Sequence, residues 1–400
     1  MRHVSAQQKG SHRGLIVLLG LMSALGPMTV DMYLPALPQI THDFATSEAA
    51  VQTTLTGSLL GMAAGQLVLS PITDALGRRW PLIAGLGIHV VFSVLSALAP
   101  GIGTLIIFRA LQGAGSAAAP AIAVAIIRDI STGREASIRY SAIMFVSMVA
   151  PIVAPLIGSG LLLWTDWHGI FLVQAAMSMA LAVTALFALP ETQPHRQSIR
   201  QAKLATGLKI VTADRVFVGS ALSQAAMMAA SFCYISGLSF VAQDWYGVSE
   251  QSYGLILTGG AVVMLFMNRL GPLLIRRFSS HRVALIGLAG ALTSSCLMMI
   301  AAPTVGLAGV AAFSWLCIGF QQLVTPNNRT MGLARHPSNA GIAAALMGAS
   351  ALSAAAISSP LMGLMGVDNG FMMALGMFSF YGLSLIASTV IIGFRHEHVE

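Results

Sequence analysis

The 400-residue chain is 56% hydrophobic and only 9% charged, against roughly a quarter charged in ordinary globular domains. That excludes a soluble fold and reads as an integral membrane protein. The formal net charge of +7 is spread over short loops with no recognition module, so it makes no case for nucleic-acid binding.

Apolar segments of the roughly twenty residues needed to cross a ~30 Å hydrocarbon core recur along the whole chain. Twelve are expected, over 14–36, 50–73, 80–99, 103–127, 138–163, 168–189, 216–242, 252–275, 281–301, 304–327, 338–365 and 370–393. The first follows a basic start (Arg2, Lys9, Arg13), as a signal peptide would. Its length and its continuation into DMYLPALP predict an uncleaved helix instead, kinked at Pro27. With a cytoplasmic N-terminus, every Lys and Arg except Arg109 and Arg269 falls at or near a cytoplasmic end. The external connections then hold Asp43, Glu48, Asp166, Asp244, Glu250 and Asp368, as the positive-inside rule requires. Cys233, Cys296 and Cys317 all fall inside these segments and read as buried fillers, with no disulfide and no metal ligation.

The longest connection, 190–215, is polar and basic and separates six helices from six. The expected fold is all-α integral membrane: a six-helix bundle over 1–189, a cytoplasmic linker over 190–215, and a second six-helix bundle over 216–400. Both termini are cytoplasmic, and a site lies at the midplane between the halves.

Between the second and third segments stands SPITDALGRRWPL, residues 70–82. Gly77 permits a tight turn, Asp74 can cap or pair at the helix end, and Arg78 and Arg79 can bridge to a neighbouring helix terminus. The plainer reading makes the two arginines topology anchors. The counterpart in the second half, NRLGPLLIRRFSSHR, keeps Arg276, Arg277 and Arg282 but has no acid.

The 70–79 pattern resembles the signature of the major facilitator superfamily, Gly-x-x-x-Asp-Arg-x-Gly-Arg-Arg, departing from it at Ser70 and Ala75. LIIFRALQGAGSAAA, with Arg109, Gln112 and Gly113, resembles that family's fourth-helix signature. APIVAPLIGS, with Pro151, Pro155 and Gly158, resembles the fifth-helix signature of its antiporters. VDMYLPALPQI, WTDWHGIF and LPET together resemble the drug:proton antiporters of the bicyclomycin-resistance and chloramphenicol-exporter branch. The resemblance implies alternating access in a bacterial inner membrane. It also implies a cytoplasmic latch at Asp74, Gly77, Arg78 and Arg79, and conformational roles for Pro151, Pro155 and Gly158.

The charges themselves point to a coupling site. Asp31 is the one acid placed well inside the hydrocarbon region, and Arg109 is the clearest intramembrane base. At ~1.5 Å per residue, each lies about 9 Å from the external end of its helix, so their depths match. An unpaired charge there costs at least ~2.5–3.5 kcal/mol, so each should face a partner or a wet cavity. A cavity that opens, closes or fills would then move Asp31 between proton-bound and proton-free, with substrate and proton competing. Gln112, one turn beyond Arg109, could orient the guanidinium or donate to substrate. The alternative is a static ion pair for assembly. Where some members of the resembled group carry a second acid on the first helix, this chain has Ser23, which suggests a one-proton cycle.

Tyr33, Gln66, Tyr234 and Gln321 are polar side chains at membrane depth, candidates for substrate contact or for interhelical hydrogen bonds. Met28, Met144, Met148 and Met228 could form an adaptable apolar wall or serve in ordinary packing. His89, near the middle of its helix, reads either as a proton relay or as a polar group packing helices. The other histidines scatter over loops and termini, so a metal site is not expected. No nucleophile, acid pair or phosphate-binding loop stands in a fitting context, so an enzyme is not expected either. Without a nucleotide-binding domain, an ion gradient is the remaining energy source, and no cofactor is implied. The chain reads as a monomeric carrier exchanging protons for small amphiphilic compounds across the bilayer. The rival keeps the fold and carries a physiological metabolite or metal, inward or outward.

Overall fold

The computed structural model describes residues 5–131, 133–189, 191–192, 201–366 and 369–392. The described residues form α-helices with short 3-10 and π turns, and no strand occurs among them. In chain order these are α1 (Ser5–Asp31), a 3-10 turn (Leu34–Ala36), α2 (Leu37–Asp43), α3 (Glu48–Leu76), α4 (Arg79–Ala97), α5 (Ile102–Ser116), α6 (Ala118–Ile130), α7 (Gly133–Leu161) and α8 (Trp167–Ala188). There follow α9 (Gln201–Ala213), α10 (Arg215–Phe240) running into a π turn (Val241–Trp245), α11 (Glu250–Ile275), α12 (Ser280–Val305) and α13 (Leu307–Ala334). After a 3-10 turn (Pro337–Asn339) the chain ends in α14 (Ala340–Met365) and α15 (Phe371–Ile386), the latter continued by a π turn (Ala387–Ile392).

Eleven helical stretches among the described residues are long and apolar enough to cross a bilayer. The predicted span at 50–73 is the one outside that set. Its helix, α3, is 29 residues long, enough to cross a ~30 Å core, and carries Gln52, Thr53, Thr54, Thr56, Ser58 and Gln66 among its apolar residues. Two further differences from the expected elements have local causes. The single helix expected over 103–127 is divided at Ala117, just ahead of Pro120, whose ring cannot continue the hydrogen-bond ladder. Part of the polar connection over 190–215 folds as α9.

Contacts divide the chain into two compact units: Met1–Tyr33 with Leu60–Ile199, and Leu34–Leu59 with Arg200–Glu400. In the first, small residues let helices approach closely. A Cβ on Gly61 or Gly65 of α3 would strike the α5 carbonyls of Ala110 or Ala114, and one on Gly115 of α5 would lie 2.6 Å from the backbone nitrogen of His89 on α4. Around these seams pack Leu19, Met22 and Leu25 of α1, Leu82 and Leu86 of α4, Ile122 and Ile126 of α6, Ile143 of α7 and Ala185 of α8.

In the second unit α10 is the central helix, packed against α13, α14 and α15. The segment Leu34–Leu59 joins this unit through specific bonds. Ser239 donates to the Leu34 carbonyl at 2.8 Å, Thr56 to the Ala356 carbonyl at 2.6 Å, and the Gly363 N–H to Gln52 Oε1 at 2.9 Å. N-cap side chains mark helix starts among the described residues, including Asp166 for α8, Asp214 for α10, Ser249 for α11 and Ser279 for α12. Cys233 and Cys317 are buried, as expected. Cys296, on α12, is exposed; so, on other elements, are Val91, Ile107, Phe145, Phe187, Leu255, Phe266, Ile357 and Val390. Apolar side chains turned outward on so many helices are what a lipid solvent accepts and water does not.

Candidate functional site

The site grows from the way α1 ends. The helix stops at Asp31, and only Tyr33 N–H returns to it, to the Val30 carbonyl at 3.3 Å. The carbonyls of its last turn therefore need partners from elsewhere. Gln174 of α8 donates to the Met28 and Thr29 carbonyls at 3.1 and 3.3 Å, and Arg109 Nη1 of α5 donates to the Thr29 carbonyl at 3.0 Å. A cation at a helix C-terminus also complements the helix dipole. The same Nη1 donates to Gln112 Oε1 at 2.6 Å, and Gln112 Nε2 donates to Ser93 Oγ at 2.7 Å and Gln174 Oε1 at 2.8 Å. His89 joins from α4, with Nε2 at 2.9 Å from Thr29 Oγ1 and Nδ1 at 2.8 Å from Ser178 Oγ. Arg109, Gln112, His89, Thr29, Ser93 and Ser178 are all fully buried.

The guanidinium is framed by aromatic faces, its central carbon lying 4.6 Å from the Tyr33 ring centroid and 5.5 Å from that of Phe171. Its Nε and Nη2 atoms are buried with no hydrogen-bond partner. Arginine stays charged in proteins and has five N–H donors to satisfy, so one edge of this buried cation is held and the other is open. Asp31 is half-buried on the last turn of α1 and makes no ion pair or hydrogen bond with a described residue. The expected Asp31–Arg109 pair is therefore not formed here: Arg109 holds the backbone two residues earlier.

Of the other predicted residues in this unit, Tyr33 and Gln112 stand in the network, and Met28 enters it through its carbonyl. Gln66 is half-buried on α3. Met144 packs against the apolar core and Met148 is 36% exposed. Gly158 of α7 sits against the backbone carbonyl of Met32, where any Cβ would collide, and Pro151 and Pro155 lie earlier in the same helix. In the second unit, Gln321 is paired with Ser231 (2.6 and 2.8 Å). The buried Tyr234 hydroxyl lies 2.9 Å from where a Gly260 Cβ would be, and it has no hydrogen-bond partner. Met228 is half-buried on α10.

The turn between α3 and α4 is tied down by acids that the 70–82 stretch does not contain. Gly77 adopts φ +92°, and Glu191 lies so close that a Cβ there would come within 2.5 Å of its carboxylate. Glu191 accepts the backbone N–H groups of Arg78 and Arg79 at 2.9 and 3.3 Å, an anion at the start of α4. The Arg78 side chain pairs with Asp129 at the end of α6 at 3.2 Å and donates to Thr73 at 3.1 Å, while Arg79 donates to the Leu186 carbonyl near the end of α8. Thr192 adds a bond to Asp129 at 3.3 Å. The side chain of Asp74 lies outside the described residues. In the second unit, Asp214 caps α10 through Val216 N–H at 3.0 Å and pairs with Arg335 at 2.8 Å and His336 at 3.1 Å. Burial works to raise this carboxyl. The bonds from Arg335 and Val216, with the charges of Arg335 and His336, overcome that and hold it below the usual carboxylate range.

Sequence reading missed Thr29, Ser93, Gln174 and Ser178 in the network, and Asp129 and Glu191 at the turn. A usable signal existed for three of them. His89 with Ser93, and Gln174 with Ser178, are polar pairs four residues apart on otherwise apolar helices, so each pair shares one face.

Residues 19–360 match the Major Facilitator Superfamily. A relative from Bacillus subtilis (strain 168), the uncharacterized MFS-type transporter YdgK, is 34% identical, with 92% of this chain and 95% of the relative covered. The bicyclomycin resistance protein homolog of Haemophilus influenzae is 28% identical, with 93% and 94% covered. Among solved structures, a bacterial homologue of the human lysosomal transporter Spinster, in an inward-facing and occupied conformation, superposes with a TM-score of 0.74. Its identity is 14%, over 95% of this chain and 96% of that one, a likeness of fold alone. Matched across most of its length and to relatives of its own size, the chain belongs to the Major Facilitator Superfamily, in the branch of the bicyclomycin-resistance transporters, and is a membrane carrier with no enzymatic role.

Proposed function

We propose that the protein exports small amphiphilic compounds in exchange for protons, by alternating access, as a monomer in a bacterial inner membrane. In this reading α3 is the twelfth span, both termini are cytoplasmic, and the α3–α4 turn is the cytoplasmic latch. The observation that carries it is the half-satisfied Arg109, with two buried nitrogens without partners and one edge on Gln112 and on the carbonyl of Thr29, two residues before an unpartnered carboxyl at Asp31. Burial favours a neutral acid and a guanidinium favours a carboxylate. A carboxyl that gains or loses such a partner therefore takes up or releases a proton, and a substrate that occupies the open edge or displaces Asp31 drives the exchange. The Tyr33 and Phe171 rings supply aromatic surface around the guanidinium. The bicyclomycin-resistance relative supports an antimicrobial as the cargo. One proton moved down a 100 mV potential supplies ~2.3 kcal/mol, which is enough for roughly a fiftyfold gradient of a neutral substrate.

The test is chloramphenicol transport in inverted vesicles with an imposed proton gradient. Wild type accumulates the drug and collapses of the gradient abolish uptake. Asp31→Asn, expressed to the same level, does not respond to the gradient. Gradient-driven uptake by Asp31→Asn would remove Asp31 from the coupling role.

A further inference from the structure

The position of Arg109 depends on a side chain outside the charge logic above. We propose that His89 is a positioning residue for Arg109, held as the neutral Nε2–H tautomer and clamping the end of α1 through the Thr29 hydroxyl.

The hydrogen-bond geometry assigns the protons one by one. Thr29 Oγ1 lies 2.6 Å from the Leu25 carbonyl, which can only accept, so the hydroxyl proton points there. What Thr29 offers His89 Nε2, at 2.9 Å, is a lone pair, so Nε2 carries the hydrogen. On the other side of the ring, Ser178 Oγ lies 2.8 Å from Nδ1. Ser93 Oγ also lies near Nδ1, at 3.3 Å, but it receives Gln112 Nε2 at 2.7 Å and its proton goes to the His89 carbonyl at the shorter distance of 2.7 Å. Ser178 therefore donates to Nδ1, which must be bare.

Each proton in the set then has one acceptor, and the ring has room for one hydrogen. The groups facing it from α1 and α8 are hydroxyls, those of Thr29 and Ser178. The charged group in the same network is Arg109, on α5, and a second cation so near it would be disfavoured. Asp31, on α1, makes no bond to the ring. His89 is thus a poor relay and a good strut.

The strut has a consequence for Arg109. Thr29 presents its hydroxyl to His89 and its carbonyl to Arg109, so the α4 ring and the α5 guanidinium grip one residue at the broken end of α1. Gly115 of α5, packed on the backbone of His89, fixes the spacing between the two helices. Loss of the Nε2–H bond frees the end of α1 to move and leaves the held edge of Arg109 without its fixed acceptor.

The effect on coupling rests on the proton-exchange reading; the tautomer does not. Two measurements separate them. In histidine-15N-labelled full-length protein in nanodiscs, one histidine signal, assigned by its loss in His89→Gln, should show a protonated Nε2 and bare Nδ1 that do not titrate between about pH 5 and 8. A ring that titrates in that range, or carries its hydrogen on Nδ1, overturns the proposal.

The second measurement is protons released per chloramphenicol bound. A glutamine places its amide nitrogen near the Nε2 position, and asparagine does not reach it. His89→Gln and Thr29→Ser should stay within about twofold of wild type, while His89→Asn and Thr29→Val fall by about tenfold with binding retained. Wild-type ratios in His89→Asn or Thr29→Val would overturn the clamp, and the Thr29 pair decides if His89→Asn does not fold. Absence of proton release from wild type would count against the exchange reading, with the tautomer still decided by the spectrum.

Discussion

Arg109 holds the carbonyl of Thr29, at 3.0 Å from Nη1, and leaves the Asp31 carboxyl alone. One residue thus caps the last turn of α1 while keeping two buried donors, Nε and Nη2, uncommitted. A lysine at 109 has the charge and could serve Thr29 and Gln112 from one nitrogen, as Nη1 does, but it lacks the second edge that Nε and Nη2 present. Arg109→Lys is expected to fold and to slow gradient-driven chloramphenicol transport by at least about tenfold, the value of one buried charge-assisted bond. Transport at the wild-type rate would mean the fork geometry is not used.

Gln174 supports the same carbonyls from α8 and also accepts from Gln112. Gln174→Leu removes three bonds at once and strands buried polar atoms, each costing about 1–3 kcal/mol. A lowered thermal midpoint in detergent, with transport lost in proportion to Arg109→Lys, is the expected result. A neutral effect on both would place Gln174 outside the working network.

How far the sequence reaches is visible at this point. Counting residues along two helices put Asp31 and Arg109 at matching depths, because depth follows from the 1.5 Å rise. The direction each group takes about its helix does not follow from counting. At the end of α1 the backbone carbonyls compete for the guanidinium, and they carry no letter in the sequence. The turn at 77 was legible in the same partial way: Gly77, Arg78 and Arg79 announced it, while their partners Asp129 and Glu191 lie more than fifty and more than one hundred residues on. The apolar segments were readable nearly everywhere because lipid imposes one rule on all of them. In α3 the polar residues Gln52 and Thr56 bond to α14 in the second unit.

Gly77 is required on two grounds, a φ of +92° and the Glu191 carboxylate against its Hα. Gly77→Ala should destabilise the protein by about 1–2 kcal/mol from the backbone strain alone, and more from displacing Glu191. Glu191→Gln keeps the shape and halves the charge-assisted cap, so it should cost about 0.5–1 kcal/mol. The order Gly77→Ala worse than Glu191→Gln, read from thermal midpoints, checks this account of the turn.

Asp214 gives the pH dependence. Its carboxyl is held below the usual carboxylate value in the fold, so its contribution to stability is fully present above the unfolded value of ~3.9. It is lost as pH falls through the lower, folded value. Asp214→Asn should therefore be less stable than wild type at neutral pH by about 0.5–2 kcal/mol, the range for a helix cap, and the gap should close below about pH 4. Melting both proteins across that range tests the sign. A gap that widened on acidification would contradict it.

The central claim is that proton and substrate exchange at one site containing Asp31 and the open edge of Arg109. Its most direct test is a pH recording of purified protein in weakly buffered detergent solution as chloramphenicol is added, wild type beside Asp31→Asn, with binding followed in parallel. The account predicts proton release from wild type in proportion to drug bound, and binding without release from Asp31→Asn. Equal release from both proteins, or drug binding to wild type with no release at all, would contradict it.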